Sequence, residues 1–465
     1  MGSSTGNLHV DSEDALNEHA AKGSNSQKIG DFYASGMDSI KIEQQGLSPL
    51  KAEFDAIDQL KDVKSVLATI AHLHTIGVGT FISPGIYQDA KKSDKMALHL
   101  WQGGLGLPNR DYYFNTDKKT SDIRKDYAET HLPTMLQLSG LSDLDANKAA
   151  KAVFAIEKDL ASKSRKLEDL RDPYANYNKL SINQLHALTP AIDWAIVFEK
   201  MELKKVDSVI VGQPEFYQEV NTLLKKYTLN DWKAYLRWNV LSSFAPYLHK
   251  AVVDEDFRFH GKVISGKKEQ LPRWKKVLDA ENGLMGEVLG QLFVKEYFPE
   301  TAKKRYEKLV EAIRDTYRER IKTLDWMSAE TKAKALIKLN KISKKVGYPE
   351  KWKDFSSLEI NRDSYVGNIM KANKFWNAYE IKKLGKPVDR TEWDMTPQTY
   401  NAYYNPSNNE IVLPAAIFTI PGMRDEEVDD AVVYGYAGAS TIGHEITHGF
   451  DDEGRQFDAD GNLKS

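Results

Sequence analysis

Apolar residues recur at spacings of three and four through most of the chain, from about residue 29 to residue 348. Lys, Glu and Asp stand between them, which is the pattern of an amphipathic helix. The clearest examples are residues 51–67, 147–167, 232–247 and 302–324. The spacing therefore predicts a large α-helical region, and the lack of a fixed-period repeat in the sequence argues against a helical solenoid.

The pattern changes after about residue 363. Turn-forming residues cluster at 395–397 and 405–409, and residues 410–413 form a short β-branched segment bounded by Pro414, which predicts an edge strand. Residues 429–450 are again periodic. Small and apolar residues cover most sides of this segment, which predicts a buried helix; they are Ala431, Val432, Gly438, Ala439, Ile442 and Ile446.

These changes predict three parts of the chain. Residues 1–27 are expected to be a flexible lead-in, which includes an added start rather than a native signal. Residues 28–365 are expected to form a helical domain with linker helices, and residues 366–465 the first part of a second, mixed domain. The predicted class is mainly α.

The candidate chemistry lies on the last predicted helix, where residues 444–448 read His-Glu-Ile-Thr-His. Positions i and i+4 share one face of a helix, so His444 and His448 can bind the same Zn²⁺. Glu445 is then expected to be the general base that deprotonates a zinc-bound water. Such a motif occurs by chance in roughly one chain in a hundred of this size, so the motif alone leaves a structural reading open.

Asp451 lies three residues after the second histidine of the motif. A carboxylate at this spacing can receive the free ring N–H of His448 and so fix the orientation of a metal ligand. An ordinary solvated carboxylate at a helix end is the alternative. The sequence leaves both readings of Asp451 open.

Composition removes several classes of function. The chain has 465 residues, a net charge of −3 and 28% charged residues, which is typical of a globular protein without a surface for nucleic acid. Its longest apolar run, residues 411–420, is shorter than the roughly 20 residues that span a bilayer, so no transmembrane segment is expected. The absence of cysteine leaves His, Asp and Glu as the strong metal ligands.

Sequence motifs around the histidines extend the pattern over nearly the whole chain. Downstream they are Asn-Ala-Tyr-Tyr (401–404), Asn-Glu-Ile-Val-Leu-Pro-Ala (409–415), Gly-His-Glu-Ile-Thr-His-Gly-Phe-Asp-Asp (443–452) and Gly-Arg-Gln-Phe (454–457). Upstream they are Gly-Leu-Gly-Leu-Pro-Asn-Arg-Asp-Tyr-Tyr (104–113), Leu-Asp-Trp-Met-Ser (324–328) and Gly-Tyr-Pro (347–349). Together they resemble the neprilysin and endothelin-converting enzyme family of zinc metallopeptidases, in particular its bacterial oligoendopeptidase O-like members.

The resemblance implies a large helical cap lobe and a thermolysin-like α+β zinc peptidase lobe, which together enclose a central cavity. It implies one Zn²⁺ per active site and peptide substrates. Asn401 and the backbone of Ala402 would anchor the peptide main chain, and residues 410–413 would be the strand alongside which the peptide pairs.

The resemblance also implies groups that these residues do not supply. The family takes its third zinc ligand from a Glu several dozen residues after the second histidine, and a distal His and Arg contact the substrate. Only seventeen residues follow His448 here. The catalytic lobe is therefore expected to be partial, and a second chain is expected to complete it.

Three hypotheses follow from the sequence. The first is a zinc-dependent endopeptidase for oligopeptides, placed outside the cytoplasm of a bacterium by the family resemblance. The second is a catalytically silent peptide-binding or structural protein with the same fold. The third is an unrelated helical scaffold that carries the motif by chance. The sequence does not identify the substrate or the oligomeric state.

Overall fold

The structure is a computed structural model that describes residues 20–420 and 422–464, apart from the side chains of residues 436–439. Within this part the chain is mainly α-helical, which confirms the predicted fold class. Residues 1–19, most of the predicted lead-in, lie outside the described residues.

The helices form two groups along the chain. Those before residue 260 are α1 (Asn25–Met37), α2 (Ser39–Gln45), α3 (Lys51–Asp58), α4 (Val63–Thr75), α5 (Asp111–Phe114), α6 (Lys118–Asp126), α7 (Leu132–Leu138), α8 (Asp143–Ser162), α9 (Ile182–Leu188), α10 (Trp194–Lys200), α11 (Pro214–Lys226), α12 (Leu229–Phe244) and α13 (Lys250–Asp256). Those after it are α14 (Arg273–Tyr297), α15 (Glu300–Thr323), α16 (Ala329–Lys341), α17 (Tyr365–Ile381), α18 (Asp430–Val433) and α19 (Gly443–His448).

The predicted helical segments are present, with one break that the spacing did not show. Residues 51–67 form parts of two helices, α3 and α4, rather than one. Asp62 starts the second, because its carboxylate accepts a hydrogen bond from the backbone N–H of Ser65 at 2.7 Å while the Ser65 hydroxyl returns to the cap. A capping box therefore divides a stretch whose apolar spacing is continuous.

A four-stranded sheet interrupts the region that the sequence predicted to be helical. Its strands are β1 (Ser83–Asp89), β2 (Lys92–Trp101), β3 (Asn178–Ser181) and β4 (Ser208–Val211), in the order β1-β2-β4-β3. The prediction of a helical pattern was wrong for all four strands. β1 and β2 pair antiparallel, and β2 then pairs with β4 at only two positions, more than a hundred residues away in sequence.

The second sheet contains β5 (Ser343–Gly347), β6 (Tyr403–Asn405) and β7 (Glu410–Pro414), in the order β5-β7-β6. The prediction that residues 410–413 form an edge strand was wrong, because β7 is central: it pairs parallel with β5 and antiparallel with β6. Ile411, Val412 and Leu413 are fully buried, which explains the continuous apolar run. Among the described residues, β6 is an edge strand of this sheet. It begins directly after Asn401 and Ala402 in the sequence.

Strand pairing and helix packing both cross the predicted domain boundary at residue 365. β5 lies before this residue but pairs with β7, whereas α17 begins at it and packs against α1, α4 and α14 of the helical region. The boundaries therefore stay a prediction. A cavity of about 950 Å³ lies between the β1–β2 hairpin, α17 and the β6–β7 turn.

Candidate zinc site

A continuous helical stretch, called here the site helix (residues 430–448), carries the His-Glu-Ile-Thr-His motif. It contains α18, a π-helical segment (Tyr434–Ile442) and α19. Asp429 caps its start, since its carboxylate accepts a hydrogen bond from the N–H of Ala431 at 2.8 Å. The predicted helix over residues 429–450 is confirmed within two residues at each end.

Burial of the site helix is one-sided rather than complete. Ile442 and Ile446 are fully buried, as the sequence predicted, but Ala431 and Val432 are exposed. The expectation of burial on most sides was therefore wrong for the first turn. Gly438 and Ala439 belonged to the same prediction, but the burial of these two residues is not described.

α15 supports the site helix from behind. The π-helical segment packs against α15, and the hydroxyl of Tyr317 on α15 donates a hydrogen bond to the carbonyl of Gly443 at 2.7 Å. The same hydroxyl lies 2.5 Å from the hydroxyl oxygen of Thr447. Tyr317 therefore joins both ends of α19 to a long helix, a role that sequence spacing could not reveal across 126 residues.

The two histidines of the motif converge. Nε2 of His444 lies 3.0 Å from Nε2 of His448, and the ring planes stand at 89°. Two imidazoles bound to one tetrahedral zinc at about 2.0–2.1 Å place their nitrogens about 3.3 Å apart. At this distance the two nitrogens can share a proton in an N–H···N hydrogen bond. The same convergence on one face of the helix also fits two ligands of one metal ion.

Asp451 fixes one of these rings. Its Oδ2 lies 2.7 Å from Nδ1 of His448, and its Oδ1 accepts hydrogen bonds from the N–H groups of Glu453 and Gly454 at 3.0 and 2.7 Å. Burial raises the pKa of Asp451, but these three hydrogen bonds outweigh it and the net pKa is lowered. The ionised carboxylate can only accept, so Nδ1 of His448 donates and Nε2 keeps its lone pair.

Glu445 lies between the two histidines in sequence and is the buried charged residue of the motif. The residue is only 5% exposed, whereas His444 is exposed. Burial raises the pKa of Glu445, and the neighbouring His444 and His448 counteract this only in part. The carboxyl group is thus kept largely out of bulk water and interacts electrostatically with both histidines.

The segment after the site helix folds back against it and is called here the return loop (residues 449–457). A Cβ on Gly454 would lie 1.8 Å from the carbonyl oxygen of His448, so only glycine allows this close approach. Arg171, from the helical region, forms ion pairs with Asp452 and Glu453 at 3.2 Å. The return loop is therefore held from both sides in the position that brings Asp451 to His448.

The predicted peptide anchors lie beside the site helix. Asn401 is exposed, and its side-chain oxygen accepts a hydrogen bond from the N–H of Ala402 at 2.8 Å. β6 follows directly and packs against α19, with the ring of Tyr404 next to Gly449. Among the described residues, the strand edge on this side of the sheet therefore belongs to β6. The sequence had suggested β7 instead.

The histidine pair has no third metal ligand among the described residues. In residues 20–420 and 422–464, no group of three or more His, Asp or Glu side chains could hold a metal ion. The residues present could therefore hold a zinc ion through two protein ligands, whereas a catalytic zinc requires three.

Among the described residues, a second pair of histidine rings comes together, which the sequence did not indicate. His131 and His260 contact each other edge to face, with ring centroids 5.3 Å apart. Each ring has its own carboxylate: Nδ1 of His131 lies 2.8 Å from Glu255, and Nδ1 of His260 lies 2.9 Å from Asp256. Each ring is thus held by its own carboxylate.

In the part of the chain that the structure describes, no helix is both long and apolar enough to cross a membrane.

Comparison with known proteins links this site to one family. Models described as peptidase family M13 match residues 5–349 and residues 401–465. Endothelin-converting enzyme 1 of Cavia porcellus is 32% identical over 463 residues, which cover 93% of this chain and 59% of that protein. An endothelin-converting enzyme homolog of Locusta migratoria is 32% identical over 404 residues, which cover 83% of this chain and 55% of that protein.

Solved structures show the same architecture. The Mycobacterium tuberculosis zinc metalloprotease Zmp1 in complex with an inhibitor superposes with a TM-score of 0.93 at 37% identity, covering 99% of this chain and 70% of that one. PepO of Lactobacillus rhamnosis gives a TM-score of 0.88 at 25% identity, covering 99% and 74%. The chain thus spans little more than half of these curated relatives and under three quarters of these solved chains.

Proposed function

This chain belongs to peptidase family M13, and on that premise we propose that it is a zinc-dependent endopeptidase that hydrolyses internal bonds of oligopeptides. The observation that carries the proposal is the 3.0 Å separation of Nε2 of His444 and Nε2 of His448. Both nitrogens lie on one face of a helix, and a carboxylate orients the second ring from behind.

His444 and His448 are the residues that would hold Zn²⁺, one ion per site. When bound, zinc lowers the pKa of water and polarises the scissile carbonyl. Glu445 is the proposed general base: its carboxylate takes a proton from the attacking water and later gives it to the leaving amine. Asp451 keeps His448 in the tautomer whose Nε2 can serve as a ligand.

The third ligand is proposed to come from polypeptide outside the described residues. A catalytic zinc takes three protein ligands and one open position. This chain matches only 55% and 59% of the length of two curated relatives, so those proteins have additional residues that could contain the third ligand. The sequence-based expectation of a second chain stays a prediction, because a single continuous chain would satisfy the same requirement.

Asn401 and the backbone of Ala402 are proposed to anchor the substrate main chain. Asn401 is exposed at the start of β6, and β6 has a free edge among the described residues. Pairing along a strand edge binds the peptide backbone without demanding one side-chain sequence, which suits a peptidase for varied oligopeptides. The likeness to two bacterial structures supports a bacterial, extracytoplasmic location as part of the same proposal. The absence of cysteine allows this location without requiring it.

Zinc content and peptide cleavage, measured on the same purified protein, test the proposal. We expect about one Zn²⁺ per site and cleavage of a fluorogenic oligopeptide with blocked ends, which excludes an exopeptidase. His444→Ala should lose both the metal and the activity. Glu445→Gln should keep the metal but lose about 10²- to 10⁴-fold in kcat, the usual contribution of a general base.

Glu426→Gln is the matched control for the base, since Glu426 is exposed and lies outside the motif. It should leave both zinc content and kcat unchanged. A protein that contains zinc and binds peptides but never cleaves them would be a silent binder of the same fold. A fully assembled protein that takes up no zinc would overturn the proposal.

A further inference from the structure

A buried lysine on another helix reaches the return loop. Lys338 of α16 is only 6% exposed, and its Nζ donates hydrogen bonds to the carbonyl oxygens of Gly454 and Phe457 at 2.6 and 2.8 Å. Its ammonium also lies 6.0 Å from the centre of the Phe450 ring. One cation therefore contacts the return loop at its beginning, its middle and its end.

The contacts of Lys338 continue as far as the candidate metal ligand. Gly454 accepts from Lys338 through its carbonyl and donates through its N–H to Asp451 at 2.7 Å. Asp451 in turn accepts from Nδ1 of His448 at 2.7 Å. Three hydrogen bonds in series thus join a lysine of α16 to a histidine 110 residues further along the chain.

The burial of the Lys338 ammonium costs free energy unless hydrogen bonds compensate for its lost hydration. Burial lowers the pKa of Lys338 to about 8, and the nearby Asp458 and Asp451 counteract this. At neutral pH the side chain is therefore still largely charged. Its charge faces carbonyl oxygens that follow the C-terminal end of α19, where the helix dipole favours a positive group.

The other lysines of the same helix have partners outside the return loop. Lys332 donates a hydrogen bond to the carbonyl oxygen of Lys322 at 3.1 Å. Lys334, one turn earlier on α16, is exposed and pairs with Glu330 at 2.9 Å. Lys341, at the end of α16, pairs with Asp460 at 2.7 Å with half of its side chain in solvent. The inward direction of Lys338 is thus a specific feature of that position.

We propose that Lys338 is a positioning residue for the zinc site: it holds the return loop so that Asp451 keeps His448 in the ligand tautomer. This inference rests on the proposed function for the role of His448, but the hydrogen bonds that it concerns belong to this chain alone. Lys338 does not touch the substrate or the reacting atoms.

Two measurements on the intact protein test the role of Lys338. The first is the ¹⁵N spectrum of histidine-labelled protein without metal, in which Nδ1 of His448 should carry the proton in the wild type. The second is Zn²⁺ affinity by competition with a chromophoric chelator. In Lys338→Met we expect a mixture of His448 tautomers and a loss of affinity of about 10- to 100-fold, as for other residues that orient metal ligands.

Lys338→Arg, which keeps the charge and the donors, should restore most of both signals, and Lys334→Met should change neither. Should Lys338→Met not fold, Lys338→Gln, whose shorter amide reaches one carbonyl at most, should give an intermediate loss in both readouts. A Lys338 variant that folds and melts lower, but keeps the His448 tautomer and the Zn²⁺ affinity of the wild type, overturns the inference.

The two proposals fail in different ways. If the wild type takes up no Zn²⁺, the proposed function fails, whereas the tautomer spectrum still measures what Lys338 does to His448. If the wild type binds Zn²⁺ and cleaves peptides while the tautomer does not respond to Lys338→Met, only the positioning role is removed.

Discussion

Oδ2 of Asp451 accepts a hydrogen bond from Nδ1 of His448 at 2.7 Å. Because Oδ1 of the same carboxylate is held by two backbone N–H groups of the return loop, the carboxylate cannot turn away. The ring of His448 is therefore held with Nε2 towards His444. Such an oriented ligand loses less conformational freedom on binding than a mobile one.

Replacing Asp451 by Asn should weaken zinc binding about 10- to 100-fold, because an amide no longer provides a charged acceptor that fixes the tautomer of His448. Chelator competition on the purified protein measures the affinity. Asp207→Asn is the control, since Asp207 is exposed just before β4 and lies outside the site helix and the return loop. Equal affinities for the Asp451 variant and the wild type would contradict the prediction.

The sequence could predict the local part of this site but not its supports. His444, His448 and Asp451 lie at spacings of four and three residues, so helix geometry alone relates them. Tyr317 and Lys338 reach the same elements from 126 and 116 residues away. Nothing in their own surroundings marks them, because a lysine or tyrosine on an amphipathic helix is usually a surface residue.

The missed sheet has a similar explanation. The apolar residues Met96, Leu98 and Leu100 alternate along β2, a period of two that the surrounding helical pattern obscured. β3 and β4 have four residues each, too few for a periodic signal. The position of β7 was misjudged because a short strand before a proline is typical of a sheet edge. β7 is central because it also pairs with β5, which lies more than sixty residues earlier in the sequence.

Gly454→Ala should destabilise the protein by about 1–3 kcal/mol, the usual cost of overpacking. A Cβ at this position would lie 1.8 Å from the carbonyl oxygen of His448, and both groups are backbone. Denaturant unfolding measures the change. Since the return loop must move to relieve the contact, the same variant should also lose zinc affinity.

Gly283→Ala is the matched control for the glycine change. Gly283 is exposed on α14, and a Cβ there would meet no atom within 4 Å. Because alanine loses less backbone entropy than glycine on helix formation, this variant should gain about 0.5–1 kcal/mol. A Gly454 variant that unfolds at the same denaturant concentration as the wild type would show that the return loop is not held as described.

Asn401→Ala should impair peptide hydrolysis mainly through KM. Removing one hydrogen bond that the substrate makes equally in its ground and transition states costs about 1–2 kcal/mol, or roughly a tenfold change, with little effect on kcat. Steady-state kinetics with an oligopeptide separates the two constants. Asn147→Ala, an exposed position on α8, should change neither, and a selective fall in kcat for Asn401→Ala would refute the anchoring role.

A buried carboxyl group far from the zinc site offers a test of the helical region. Glu157 of α8 is fully buried and accepts hydrogen bonds from the hydroxyls of Tyr113 and Tyr127 at 2.9 and 2.8 Å and from the indole N–H of Trp238 at 3.1 Å. Burial raises the pKa of Glu157 to about 7, and these hydrogen bonds counteract the shift only in part. The group therefore titrates within a range in which folding can be measured.

Glu157→Gln should remove a pH dependence of stability from the helical region. The folded-state pKa of Glu157 lies above its unfolded value of 4.5, so its contribution to stability is fully present below pH 4.5 and is lost as the pH rises towards 7. A shift of this size corresponds to about 3 kcal/mol. Relative to the wild type, the variant should gain about this much free energy of unfolding between pH 4.5 and 7.5, as measured by urea unfolding at each pH. Glu129→Gln is the control, because Glu129 is exposed on the segment after α6; its stability should follow that of the wild type at every pH. If the stability of Glu157→Gln and that of the wild type change in parallel with pH, the buried carboxyl group is already ionised at acidic pH.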